Sequence, residues 1–106
     1  MDVPATPLET RTGCVAAAME IIGSKWTALI LRDLASGECR FADLERSITG
    51  LNPRTLSKRL EDLETHHIIE HCPNSPSYRL TQKGRDLIPV LEAMAAWGDK
   101  YHHLSQ

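Results

Sequence analysis

The chain has no excess of positive charge. Twelve Lys and Arg stand against 14 Asp and Glu, a formal net charge of −2. Bulk electrostatics therefore does not mark it as a nucleic-acid binder, and any surface for a polyanion must come from local clustering of cations. Cysteine is scarce: Cys14, Cys39 and Cys72 lie far apart and form no CxxC pair, which argues against a zinc ribbon. Long apolar runs are missing, and the opening MDVPATPLET has no apolar signal core, so neither a membrane span nor a secretory leader is expected. The expectation is a soluble, cytoplasmic chain with thiols reduced at rest. A phosphate-cradling glycine loop, a nucleophile elbow and a zinc-hydrolase motif are all absent, so neither an enzyme nor a cofactor is expected. Five histidines (His66, His67, His71, His102 and His103) raise the question of a metal. Adjacent histidines point in different directions on a helix, and no Cys or carboxylate joins them at a ligand spacing, so no metal site is expected.

What is present fits one domain. The 106 residues, 42% apolar and 25% charged, make an ordinary globular balance. A core of this size is modest and gains from dimerisation. Residues 1–11 hold two prolines and no periodic pattern, and read as a mobile arm; residues 12–106 read as the domain. Thr12 can cap a first helix through Cys14, Val15, Met19 and Ile22, ended by Gly23. A second helix covers residues 25–35, with Trp26, Leu29, Ile30 and Leu34 on its apolar face. Residues 39–41 are too short for more than an edge strand. A third helix spans 42–48, and Thr49-Gly50-Leu51 forms a turn into a fourth helix, the helix-turn-helix arrangement. Two short strands at 68–71 and 77–80 flank the turn cluster Cys72-Pro73-Asn74-Ser75-Pro76. A single last helix, capped by Thr81, runs from 82 to about 103 and should kink at Pro89, which removes a backbone donor. The order describes a mainly α chain with a small β-hairpin: a winged helix-turn-helix with extra N- and C-terminal dimerisation helices.

The fourth helix, NPRTLSKRLEDLETH at residues 52–66, organises the reading. Asn52 is a good N-cap and Pro53 suits the first helical position. Leu56, Leu60 and Leu63 form one apolar stripe. At about 100° per residue, Lys58 points away from that stripe and Arg54 lies one turn before it. Thr55 and Ser57 flank this outward face, and Arg59 sits at its border, where it either faces DNA or pairs with an acid. Cations occupy the first half of the helix; Glu61, Asp62 and Glu64 occupy the second. Recognition helices present their N-terminal residues to base edges in this way, although an ordinary amphipathic helix with a solvated charged face shares the pattern. Arg can pair bidentately with guanine, and Lys reaches the same edge as a point charge. Asn52, at the helix start, can share backbone donors with a phosphate. The apolar face of the last helix (Leu87, Val90, Leu91, Met94, Trp97 and Tyr101) exceeds what a small core needs, and a partner subunit is the natural place to bury it. Trp26 and Trp97 read as core or interface. Cys14 falls in the first turn of a helix with Arg11 nearby, an environment that favours a thiolate; a small buried hydrophobe at a dimer seam fits as well. Cys72, in the wing, is expected to be an exposed second thiol, and Cys39 to serve packing.

With these elements placed, the chain resembles the HxlR family of transcription regulators, a branch of the MarR-like winged helices. The carriers are Cys14 leading into IGSKW at 22–26, LILRDL at 29–34, RFADL at 40–44, LSKRLEDLE at 56–64, YRLTQKGR at 78–85 and PVL at 89–91. The resemblance implies a homodimer built from the first and last helices, with Val15, Met19, Leu91, Met94, Trp97 and Tyr101 at its seam. It implies double-stranded DNA as partner, with the fourth helix in the major groove, the wing against the backbone or minor groove, and Lys25 near phosphate. It also implies an oxidant, electrophile or other small-molecule effector acting through Cys14. The sequence departs from the family at Val15, where proline is usual, and in a short wing whose turn carries no cation, leaving Arg79 as the nearest one for phosphate. Two alternatives stay open: a regulator controlled by a small ligand without redox response, and a winged-helix protein-interaction module without specific DNA binding, which suits the acidic balance.

Overall fold

The computed structural model describes residues 12–102. The expected N-terminal arm, with Arg11, and the expected end of the last helix at His103 lie outside the described residues. The order is α1 (Thr12–Ile22), α2 (Lys25–Ala35), β1 (Cys39–Arg40), α3 (Phe41–Ser47), α4 (Pro53–Thr65), β2 (Ile69–His71), β3 (Ser77–Leu80), α5 (Gln82–Arg85) and α6 (Ile88–Tyr101). Among the described residues no single helix is long and apolar enough to cross a membrane.

The starts of α2, α3 and α4 each have a chemical reason. The Ser24 hydroxyl accepts from the Trp26 N–H at 3.2 Å and caps α2. The Asp43 carboxylate reaches back to the Arg40 N–H at 2.8 Å, so α3 begins at Phe41 rather than Ala42. The Asn52 side chain accepts from the Arg54 N–H at 2.7 Å with Pro53 in the first turn, the cap the sequence called for. Between α3 and α4, Gly50 takes φ +87°, a left-handed turn position that glycine occupies without a Cβ penalty.

The end of α4 is closed by a pair of backbone bonds. Ile68 N–H donates to the Leu63 carbonyl at 2.9 Å and His67 N–H to the Glu64 carbonyl at 3.0 Å, with His67 at φ +60°. This double closure with a left-handed residue satisfies carbonyls the helix leaves open. From there the chain enters the antiparallel sheet, ordered β1-β3-β2. Cys39 pairs with Tyr78 on one side of β3, while Ile69 pairs with Leu80 and Glu70 with Arg79 on the other. β1 is thus the edge strand its length implied.

The core lies where α2, α3, α4 and the sheet meet. Ile30, Leu31, Leu44 and Leu56 are fully buried, and Leu60 and Leu63 complete the inner face of α4. Burying each such side chain is worth about 1.5–3 kcal/mol. The inward stripe fixes the rotation of α4, so Arg54, Ser57 and Lys58 face solvent.

The last helix is not one kinked rod. α5 ends at Arg85, and Leu87 N–H closes it with a bond to the Gly84 carbonyl at 3.0 Å. Pro89 then sits in the first turn of α6. Carried through, a single helix would need the missing Pro89 donor and would drive the ring into the Arg85 carbonyl; starting a new helix removes both costs. α5 is tied to the α4–β2 joint. The Thr81 hydroxyl accepts from the Gly84 N–H at 3.1 Å and donates to the His67 carbonyl at 2.6 Å, and Lys83 Nζ donates to the His66 carbonyl at 2.8 Å. Gly84 passes so close that an added Cβ would lie 2.2 Å from the Ile68 carbonyl oxygen.

Candidate DNA-binding interface and thiols

The outward N-terminal half of α4 gathers Asn52, Arg54, Thr55, Ser57, Lys58 and Arg59. Arg54, Ser57 and Lys58 are exposed, and Thr55 and Arg59 are half-buried at the flanks. The Asn52 side chain is occupied by its cap, leaving other first-turn N–H groups facing outward. Among the described residues neither Arg54 nor Arg59 makes an ion pair, so of the two roles open to Arg59 the pairing with an acid is not the one seen.

Lys58 is different. Its ammonium lies 3.1 Å from Asp62 and 3.8 Å from Glu61. The hydrogen bond to Asp62 raises the Lys58 pKa above its ordinary value, and the charges of Asp62 and Glu61 add to this. The acids in the second half of the helix therefore do not stand apart from its cationic face. Positions i+3 and i+4 after Lys58 carried the signal for this. In the wing, Arg79 Nε sits 2.8 Å from Glu70 on the paired strand, and that hydrogen bond raises its pKa likewise. The wing's expected phosphate cation is thus already partnered. Lys25, exposed at the start of α2, lies over the Trp26 ring at 4.7 Å from its centroid.

A second group of contacts escaped the sequence reading. His71 Nδ1 lies 2.7 Å from Glu64, joining the wing to α4, and its ring packs 4.3 Å from that of Tyr78. Glu64 and His71 are seven residues apart in different elements, so no local spacing pointed to the pair.

The three thiols fall into distinct environments. Cys14 is exposed in the first turn of α1. Cys39 is half-buried, with Sγ 3.7 Å from the Asp33 carbonyl; burial raises its thiol pKa, and Asp33 and Asp43 add to the effect. Cys72 was expected to be exposed and is buried, where the hairpin closes and the Cys72 N–H bonds the Ser77 carbonyl at 2.8 Å. Burial raises the Cys72 pKa first, and the Glu38 carboxylate adds to it.

A third surface is apolar. On α6, Met94 is 49% exposed, Trp97 59% and Tyr101 57%, with Val90 beside them; Val15 and Met19 on α1 are open as well. α6 has no buried residue. Leu91 is half-buried and, with Leu87 and Ile88, packs α6 against its own core.

A three-stranded antiparallel sheet with a hairpin beyond a helix-turn-helix pair, and a capped amphipathic helix with cations outward, define a winged helix-turn-helix domain. The chain belongs to the HxlR-like helix-turn-helix family, whose model matches residues 21–106. It is 38% identical over 92 residues to an HTH-type transcriptional regulator of Methanothermobacter thermautotrophicus, covering 82% of this chain and 70% of that protein. It is 33% identical over 90 residues to the HTH-type transcriptional regulator YodB of Bacillus subtilis, 80% of each chain. The crystal structure of quinone-bound YodB superposes with a TM-score of 0.77 at 31% identity, over 84% of this chain and 99% of that one. The redox regulator HypR in its reduced form superposes at 0.73 and 30% identity, over 81% and 90%. The protein is therefore a member of a family of transcription regulators with a winged-helix fold.

Proposed function

We propose that the protein is a homodimeric, sequence-specific DNA-binding regulator that inserts the N-terminal half of α4 into the major groove. The observation that carries this reading is Arg54: an exposed guanidinium without an ion-pair partner among the described residues, in the first turn of a capped helix whose opposite face is locked in the core. Thr55, Ser57 and Arg59 flank it, and Lys25 stands as an outlying cation for phosphate, while Arg79 is held by Glu70. Two copies joined through the exposed faces of α1 and α6 would read half-sites about one helical turn, roughly 34–36 Å, apart.

The same reading assigns Cys14 as the thiol that answers an oxidant or electrophile. It is the exposed cysteine of the three, while burial pushes Cys39 and Cys72 toward their protonated, unreactive forms. The quinone-bound and redox states of YodB and HypR support this option by kinship.

Fluorescence anisotropy on the DNA upstream of the gene, with reduced and diamide-treated protein against an unrelated duplex, tests both parts. Specific binding that changes on oxidation in the wild type but not in Cys14→Ser is the expected result. Binding to every duplex alike would remove the sequence-specific reading, and an unchanged oxidant response in Cys14→Ser would remove the thiol assignment.

A further inference from the structure

Two cations on the elements proposed to face DNA are already held by carboxylates, one on the same helix and one on the paired strand of the hairpin. On α4 Lys58 lies 3.1 Å from Asp62, and in the hairpin Arg79 lies 2.8 Å from Glu70 directly across the strands. A cation paired at this distance presents a dipole, whose field falls faster with distance than that of a free charge. Neutralising a phosphate with such a group releases a counterion only if the internal pair opens first. The whole chain is acidic by two charges, so no general positive field makes up the loss.

We propose that Asp62 and Glu70 are positioning residues that latch Lys58 and Arg79, holding down the affinity for arbitrary DNA so that binding depends on groove contacts around Arg54. This rests on the proposed DNA-binding function. Any duplex offers phosphates, but only a matched sequence offers Arg54 its base edge. Removing two free phosphate cations from the interface lowers the background that every sequence shares, while the base-reading residue keeps its full contribution. The latch widens the gap between matched and unmatched sites without adding any contact to the matched one.

The test is a cycle of variants, Asp62→Asn, Lys58→Ala and the two combined, each titrated on a random-sequence duplex. Each freed phosphate contact steepens the slope of log affinity against log salt by about 0.9, so between about 50 and 200 mM salt the affinity loss grows roughly three- to fourfold. Asp62→Asn is expected to bind random DNA more tightly at low salt with the steeper slope. Lys58→Ala alone should leave the slope nearly unchanged, and the double variant should return to the wild-type slope. The same pattern is expected for Glu70→Gln with Arg79→Ala. An unchanged slope in Asp62→Asn overturns the latch. So does a steepening that survives in the double variant, since that is the general effect of deleting a negative charge. A wild type that binds no duplex removes the proposed function and the latch together, whereas a wild type that binds beside an unaltered Asp62→Asn removes the latch alone.

Discussion

Arg54 and Lys58 stand one turn apart on the same face of α4, and sequence spacing ranks them as equals. Their surroundings separate them: one is unpaired among the described residues and the other is held by Asp62. Arg54→Ala should therefore cost about 1–3 kcal/mol on a matched operator and relax preference at one base position, read by competition with base-substituted duplexes. Uniform weakening on all sequences would make Arg54 a phosphate contact instead. The thiols divide in a similar way. Iodoacetamide near neutral pH should label Cys14 in the folded protein, with Cys39 and Cys72 labelled only in denaturant, as peptide mass mapping can show. Raised pKa values leave the latter two mostly protonated at that pH, and the attacking species is the thiolate. Gly84 carries a third residue-level consequence. Gly84→Ala would force a Cβ against the Ile68 carbonyl and should destabilise the fold by about 1–3 kcal/mol, measured from the urea midpoint.

At the scale of elements, much of the fold was legible because punctuation and periodicity agreed. The observed bounds of α2, Lys25–Ala35, lie between Ser24, which caps it, and Gly37, and β3 falls on Ser77–Leu80 as expected, although its burial does not alternate. α4, Pro53–Thr65, falls within the expected 52–66 and starts at its Asn52 cap. The misreadings have physical reasons. Pro89 is compatible both with a kinked helix and with the first turn of a new one, and only the closure of α5 by Leu87 decides between them. Cys72 sits in a stretch whose composition reads as a solvated turn, yet the packing of the hairpin buries it. The Lys58 pairing was readable from i+3 and i+4 spacing. The tie between His71 and Glu64 was not, since it exists only once the wing lies against α4. Of the candidate interface, local spacing carried which residues face outward and the pairing of Lys58, but not the hold of Glu70 on Arg79, which needs the strand register.

At the scale of the whole molecule, the exposed residues of α6 recur at spacings of four, three and four: Val90, Met94, Trp97 and Tyr101. That is the rhythm of a helix seam. Trp97→Asp should give a monomer by sedimentation velocity and weaken binding to a two-half-site operator, while a single half-site is bound as before. A wild type that sediments as a monomer at micromolar concentration would leave the apolar stripe without the partner assigned to it.

The break at Asp86 and Leu87 makes α6 a separate rod fixed at its base to the domain that carries α4. A helix of 14 residues is about 21 Å long. Tilting such a rod by about 10° at its foot carries its tip through about 4 Å, close to one base-pair step of roughly 3.4 Å. In an assembly joined through those rods, the reading heads are set like the points of a pair of dividers, and an angular error at one short joint becomes a whole-step error on the scale being measured.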